Sequence, residues 1–384
     1  MNQAPHAYWR SKLNFEDAVD YHYGHFPPKQ LDATELIEPV ARAAAALARY
    51  DQMLRTMPNS DILLAPLHRQ EAVISSRMEG TVSTLDEVLI YEADKEDNID
   101  PQSRMYRSEA VEVFLYSSAM RNAHNHLIQG GHLSEWLIRS THKELLGAGR
   151  GAALTPGEYK REQNFLADRT KRKVLFVPIR PENLQDGMQR LVEFMHSDQF
   201  QVLILTALAH VEFEALHPFQ DGNGRIGRIL ITLMLWQRGV ISAPNFYISE
   251  FFEEYRDEYV ERMREVSRSS GWMEWTVFFL AALESQATRN LQTAEDISGL
   301  YDEMKDRFRE TLSSQWSTVA LDYIFSRPIF RNNVFIEKSG IPATTARRFT
   351  KLLVESGMLK TVEQAAGRRA ALYSFEPLLQ LVRR

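Results

Sequence analysis

Apolar residues recur at helical spacing along most of the chain, and strand-like alternation is confined to one stretch. The alanine-rich segment from Ala33 to Thr56 predicts a helix, after an extended lead-in marked by the prolines of FPPKQLD. MPNSD then breaks the chain and offers Asn59 or Ser60 as an N-cap. ILLAPLHRQEAVISSRMEG predicts a helix ending at Gly80, a residue suited to a left-handed C-terminal position. TVSTLDEVL restarts a helix with Ser83 or Thr84 as its cap. Farther on, Val174, Phe176 and Val177 give KVLFVPI strand character inside a polar interruption, 147–181, which predicts a β-hairpin on a helical body. Helices are predicted at 183–197, 200–216 and 223–238, and two more between Phe251 and Thr293. The charged SGLYDEMKDRFRETL predicts a connector to a C-terminal domain beginning near Trp316.

With 384 residues the chain can build two or three domains. It has no cysteine, which excludes disulfides and any thiol nucleophile or thiolate metal site. The N-terminus lacks the apolar stretch of a secretory signal. The most apolar runs, such as ILITLMLW, fall well short of the ~20 residues that span a membrane. A cytoplasmic protein with no membrane partner is expected. The net charge of −6 argues against general nucleic-acid binding. The segment 333–384 differs, with nine Lys/Arg against four Asp/Glu.

The densest chemistry lies in HPFQDGNGRIGR, from His217 to Arg228, between two apolar helices. Gly222, Asn223 and Gly224 allow a sharp turn whose N–H groups can form an anion nest. The helix that follows points its positive end at the same spot, with Arg225 in its first turn and Arg228 three residues on. Two fixed cations beside a nest suit a polyphosphate. Asp221 sits where a carboxylate and phosphate oxygens could share Mg²⁺, and His217 could take a proton from an attacking hydroxyl. Each element alone is commonplace; their concentration in one loop is not.

This loop resembles the Fic family pattern H-x-F-x-[D/E]-G-N-G-R-x-x-R and matches every specified position. The resemblance implies ATP–Mg²⁺ binding and transfer of AMP to a protein hydroxyl. It implies His217 as general base and Asp221 as magnesium ligand, with Gly222, Asn223, Gly224 and Arg225 as phosphate cradle. Arg228 would hold the terminal phosphate, and Phe219 would anchor the loop. EFFEEYRDEYVERM and GWMEWTVFFLAAL resemble the helices that follow the motif in this family. Tyr259 would contact adenine; Val260 stands where relatives often have a second tyrosine. The hairpin around Leu175, Phe176 and Val177 resembles the family's flap, whose edge can recruit an extended target segment by strand addition.

SSRMEG places Ser75 and Glu79 four apart, on one helix face. It matches the family's inhibitory pattern [S/T]-x-x-x-E-[G/N] in full. The resemblance implies that Glu79 pairs with Arg228 and removes the cation that positions the terminal phosphate.

NVFIEKSGIPATTARRFTKLLVESGMLKTVEQAAGRRAALYSF reads as helix, turn, helix and wing, and resembles a winged helix. Ala346, Phe349, Leu352 and Leu353 would face its core, and Thr344, Thr345, Arg347, Arg348 and Lys351 would face out. Arg347 and Arg348, with Arg368 and Arg369 at the wing tip, would contact DNA phosphates or a protein partner.

The expected fold is mainly α: an N-terminal helical regulatory region (1–100), a helical Fic core with a β-hairpin flap (101–295), and a connector helix with winged helix (296–384). The expected activity is protein adenylylation from ATP onto a Ser, Thr or Tyr of an unidentified target, or onto the protein itself, restrained by Glu79. Removal of AMP and an ATP-sensing DNA-binding regulator are the alternatives. Kinase-like relatives carry lysine at the position of Gly224, which argues against that reaction here. A homo-oligomer is compatible with the sequence.

Overall fold

The computed structural model describes residues 14–99, 108–168, 170, 172–367 and 369–383. The boundary expected at 100/101 lies outside them. The described chain is mainly helical, as the apolar spacing predicts. Helix α1 (Ala33–Thr56) begins at Asp32, whose side chain accepts the Thr34 N–H at 2.8 Å. Its Ala43, Ala46, Leu47 and Tyr50 are buried, and it packs along α12 (Trp272–Leu312).

The long helix α12 corrects one expectation. It runs unbroken for 41 residues, so the predicted connector is its C-terminal half and the boundary at 295/296 falls inside it. Its apolar stripe continues through Ala294, Ile297, Tyr301, Met304 and Phe308, all buried. Burial of that stripe outweighs the ~1 kcal/mol helix penalty of Gly299.

The predicted helix after MPNSD is two pieces, α2 (Ser60–Leu63) and α3 (Ala65–Met78). Pro66 stands in the first turn of α3, where its missing N–H is tolerated, and so marks a restart. Asn59 precedes α2 in the left-handed region (φ 55°) but makes no side-chain cap bond. At the far end Gly80 adopts φ +85°, the left-handed conformation expected of it. Helix α4 (Leu85–Glu96) opens with a complete capping box between Thr84 and Glu87.

Helices α5 (Ser108–Ile128), α6 (Glu135–Leu145), α7 (Pro181–His196), α8 (Val202–Leu216) and α9 (Asn223–Gln237) form the centre. Helices α10 (Ser249–Glu254) and α11 (Arg256–Ser269) lead into α12. Almost every residue of α8 and α9 is buried, so the loop joining them is held between two enclosed helices.

The predicted hairpin is present as β2 (Leu166–Ala167) and β3 (Val174–Val177), antiparallel. The sequence missed a third strand, β1 (Val19–Asp20), which lies parallel to β3 with Val19 opposite Phe176. β3 is therefore the central strand of the order β1-β3-β2. Both edges of β3 are filled by this chain, so strand addition to this sheet would have to use the outer edge of β1 or of β2. A two-residue strand leaves no periodicity to read, and its partner lies far off in sequence.

The C-terminal unit follows α13 (Ser317–Ser326). Strand β4 (Ile329–Arg331) leads into α14 (Asn332–Lys338) and α15 (Ala343–Glu355). Strands β5 (Lys360–Glu363) and β6 (Leu372–Ser374) make the wing, and α16 (Glu376–Val382) closes it. The sheet order is β4-β6-β5, beside the paired helices, so the helices and wing strands expected here are present as elements. Ala346, Phe349 and Leu353 are buried as expected, and Leu352 is half-buried. Arg347 is exposed. Arg348, also exposed, donates to the Leu312 carbonyl at 3.2 Å. Arg369 bonds Ala366 through its backbone at the wing tip, and Arg368 lies outside the described residues.

This unit docks on the acidic face of α4. Arg331 pairs with Asp94 at 2.7 Å with both side chains enclosed, Arg383 with Asp86 at 2.8 Å, and Arg327 with Glu96 at 3.0 Å. Among the described residues no helix is long and apolar enough to cross a membrane.

Candidate active site

The loop between α8 and α9 begins at His217, the C-cap of α8, in the left-handed region (φ 44°, ψ 62°). Few non-glycine residues sit there without local strain. Its N–H still closes the helix on Phe213 O at 3.0 Å. The ring atom Nδ1 is buried and has no hydrogen-bond partner among the described residues. Burial, reinforced by the Lys160 ammonium, pushes the imidazole down to about 4, so the ring is neutral near pH 7.

Gly222 turns the chain into α9 with φ +79°. Asp221 Oδ1 accepts the Gly222 N–H at 2.7 Å and lies 3.6 Å from an Arg225 nitrogen. Asn223, expected in the phosphate cradle, uses its side chain on the loop itself: it accepts from Phe219 N at 2.8 Å and donates to Phe219 O at 2.9 Å. Its contribution to an anion site is therefore limited to its backbone N–H. Phe219 is fully buried and anchors the loop, as predicted.

The two arginines differ sharply. Arg225 is fully enclosed, yet none of its three side-chain nitrogens has a hydrogen-bond partner among the described residues. Glu112 stands 3.9 Å away, beyond hydrogen-bonding range. Arg228 is firmly bonded instead. Its Nε donates to Ser75 Oγ, and one terminal nitrogen donates to both Ser75 O and Glu79 Oε1, each at 2.8 Å. Ser75 and Glu79 thus sit where their four-residue spacing places them, on the face of α3 and its C-cap that meets α9.

Burial opposes the charge on both Glu79 and Arg228. Each outweighs that effect on the other, so the carboxyl is held below its ordinary value and the guanidinium above its own. Glu214, nearby, is pushed up to about 8 by burial and by Glu79, so it is largely protonated at neutral pH. A Cβ on Gly224 would fall 2.1 Å from Glu79 Oε1 and 2.9 Å from an Arg228 nitrogen. No side chain fits at Gly224 while Glu79 is in place.

Tyr259 does not present an open ring to the loop. It is buried, its ring stacks on Phe252, and its hydroxyl bonds His210 Nε2 at 2.8 Å. An aromatic on an amphipathic helix reads alike as core or as ligand contact, and here it is core. In the flap, Phe176 is buried while Leu175 and Val177 are half-buried, and the Leu175 carbonyl accepts from Arg264 at 3.1 Å.

Residues outside the motif also build the site. His142 stacks on Phe219 with ring centroids 3.7 Å apart. Its Nδ1 accepts the Gly157 N–H at 2.8 Å, so Nε2 carries the proton and donates to the Asp221 carbonyl at 2.9 Å. Lys160 and Asn164 reach the same loop from the segment before the flap. The sequence gives little sign of these three, since a lone polar residue on a helix or loop reads as solvated.

Two family models match the chain: Fic/DOC family N-terminal over residues 37–125, and Fic/DOC family over 132–235. The chain is 29% identical over 134 residues to the Protein adenylyltransferase Fic of Drosophila mojavensis, a stretch covering 34% of this chain and 25% of that protein. It is 31% identical over 105 residues to the protein of the same name from Nematostella vectensis, covering 27% and 22%. The matched stretch thus spans about a quarter of the length of these relatives. Among solved structures, the chain is similar to a Fic family protein from Desulfovibrio desulfuricans G20, with TM-score 0.58 and 17% identity over 91% of this chain and 98% of that one. It is also similar to a Fic domain containing signaling protein from Bacteroides thetaiotaomicron, with TM-score 0.53 and 18% identity over 67% and 97%. At such identities these two speak to the fold alone. A complete loop motif, set between two enclosed helices and covered by the family's own models, identifies this chain as a member of the Fic/DOC family.

Proposed function

We propose that the protein is an adenylyltransferase that moves AMP from ATP onto a hydroxyl of another protein, and that Glu79 restrains it. The observation that carries this reading is the contrast between Arg225, enclosed and without hydrogen bonds among the described residues, and Arg228, held by Ser75 and Glu79. Arg225 and the N-terminal amides of α9 offer a polyanion charge-assisted donors. Neutral His217 takes the proton of the incoming hydroxyl as its oxygen bonds to the α-phosphorus; the bond from that phosphorus to the bridging oxygen breaks, and pyrophosphate leaves. With Arg228 held by Glu79, the terminal phosphate lacks its cation and the α-phosphate is not presented in line.

A divalent cation fits this loop in one way. Among the described residues no three His, Cys, Asp or Glu side chains converge. A cation would therefore rest on Asp221 and the nucleotide's own phosphate oxygens, a donor set that suits Mg²⁺. Bound there, it would neutralise charge on the leaving phosphates.

Incubation with α-labelled ATP and cell lysate, followed by mass spectrometry of labelled bands, tests the reading. Label on protein hydroxyls supports it, and no label from either the wild type or Glu79→Gly sinks it. The second reading is removal of AMP, with Glu79 holding a water. Release of AMP from a modified protein, lost in Glu79→Gly, would distinguish it.

For the winged helix, exposed Arg347 and Lys351 on α15 support docking on nucleic-acid phosphates. Gel shifts with varied duplexes should weaken steeply with salt. No shift at low salt points to a protein partner instead.

A further inference from the structure

The turn from α8 into the loop exposes four consecutive carbonyls, those of Leu216, His217, Pro218 and Phe219. All four are taken by two residues. Lys160 Nζ donates to Leu216 O at 3.0 Å, and Lys160 N donates to Pro218 O at 2.8 Å. Asn164 Nδ2 donates to His217 O at 3.1 Å and Phe219 O at 3.0 Å. The two side chains are joined, since Lys160 Nζ donates to Asn164 Oδ1 at 2.8 Å. Phe219 O receives a further bond, from Asn223 Nδ2, at 2.9 Å.

Two features set this apart from ordinary loop packing. A left-handed His217 persists only where its surroundings over-determine it, and these bonds fall on both sides of that residue. Lys160 is also buried (3% exposed), with no carboxylate within ion-pair distance among the described residues. Lysine is almost never fully buried unpaired. Here the ammonium is placed at the C-terminal end of α8, where the helix's last carbonyls favour a cation. Burial holds it down at about 7, and its charge opposes protonation of His217.

We propose that Lys160 and Asn164 are positioning residues that clamp the His217 turn and aim its imidazole at the acceptor hydroxyl, without taking part in ATP binding. The inference rests on the adenylyl-transfer reading for its consequence and on the clamp alone for its geometry. Loosening a base by an ångström can cost about a hundredfold in rate.

The test uses the full chain with Lys160→Met, which keeps the stem and removes the ammonium, Lys160→Arg, which keeps a cation, and Asn164→Ala. Three quantities are measured: ATP affinity by calorimetry, the initial rate of labelled-AMP incorporation at saturating ATP, and the His217 ring resonances by NMR. The expected result is unchanged ATP affinity and about a hundredfold lower rate in Lys160→Met and Asn164→Ala. Their His217 resonances should be displaced, and Lys160→Arg should recover most of the rate. Should Lys160→Met fail to fold, Asn164→Ala carries the same comparison. Undisplaced His217 resonances in the folded variants overturn the clamp whatever the reaction is. So does a rate loss matched by an equal loss of ATP affinity. Displaced resonances in a protein that transfers no AMP, even as Glu79→Gly, support the clamp and sink the transferase reading instead.

Discussion

Glu79 and Arg228, 149 residues apart in sequence, meet at 2.8 Å, and the contact forms over the one position in the loop, Gly224, where any side chain would collide with it. On the proposed reading, restraint by Glu79 and nucleotide binding compete for this one guanidinium. Ser75 holds the same arginine by two further bonds, so Arg228 keeps its direction when the carboxylate is removed.

Glu79→Gly should therefore raise the initial rate of labelled-AMP incorporation, including self-labelling. Arg228→Ala should lower it, because productive ATP binding needs the same side chain. The double variant should match Arg228→Ala alone, since both changes act through one contact. A Glu79→Gly rate no higher than wild type would return Glu79 to an ordinary helix-end carboxylate.

His217→Ala should lose transfer by roughly 10²–10⁴-fold while still binding ATP, because the phosphate contacts lie elsewhere in the loop. In the ATP-free protein the imidazole should titrate at about 4 rather than at 6.5. A depressed value means that the ring gains its proton only in acid and is a free base at neutral pH. Removing Glu79, which holds that value up, should move the midpoint lower still. An NMR titration of His217 in wild type and Glu79→Gly reads both signs, and a midpoint at the ordinary histidine value would contradict them.

Asp221→Ala should lose metal-dependent transfer, and wild type should be inactive in chelator. Mg²⁺ titration of the labelling rate is the measurement. Full activity without divalent cations would remove Asp221 from its assigned role.

Asp94→Ala should destabilise the protein by about 3 kcal/mol, because it removes the enclosed one of the two carboxylates that hold Arg331 and leaves this buried guanidinium to the partly exposed Glu363. Urea denaturation with an unchanged m-value would measure it. A loss below about 1 kcal/mol, typical of exposed pairs, would mean that the docking of the C-terminal unit on α4 is loose in solution.

Helix α1 and the two caps at Gly80 and Thr84 were legible in the sequence because each depends on neighbours within a few residues. The HPFQDGNGRIGR loop was legible for the same reason: a turn, a nest and a helix N-terminus are local devices. The four-residue spacing of Ser75 and Glu79 put both on one face, and family resemblance supplied Arg228 as their partner. Only the tertiary structure decided that β1 fills the open edge of β3, that Asn223 staples Phe219, and that Tyr259 lies in the core. It alone brought Lys160, Asn164 and His142 to the loop and the C-terminal unit onto α4. The physical reason is range. Propensity, capping and periodicity act through bonds and turns along the chain. Burial and long-range hydrogen bonds act between residues that approach each other only after the helices have packed.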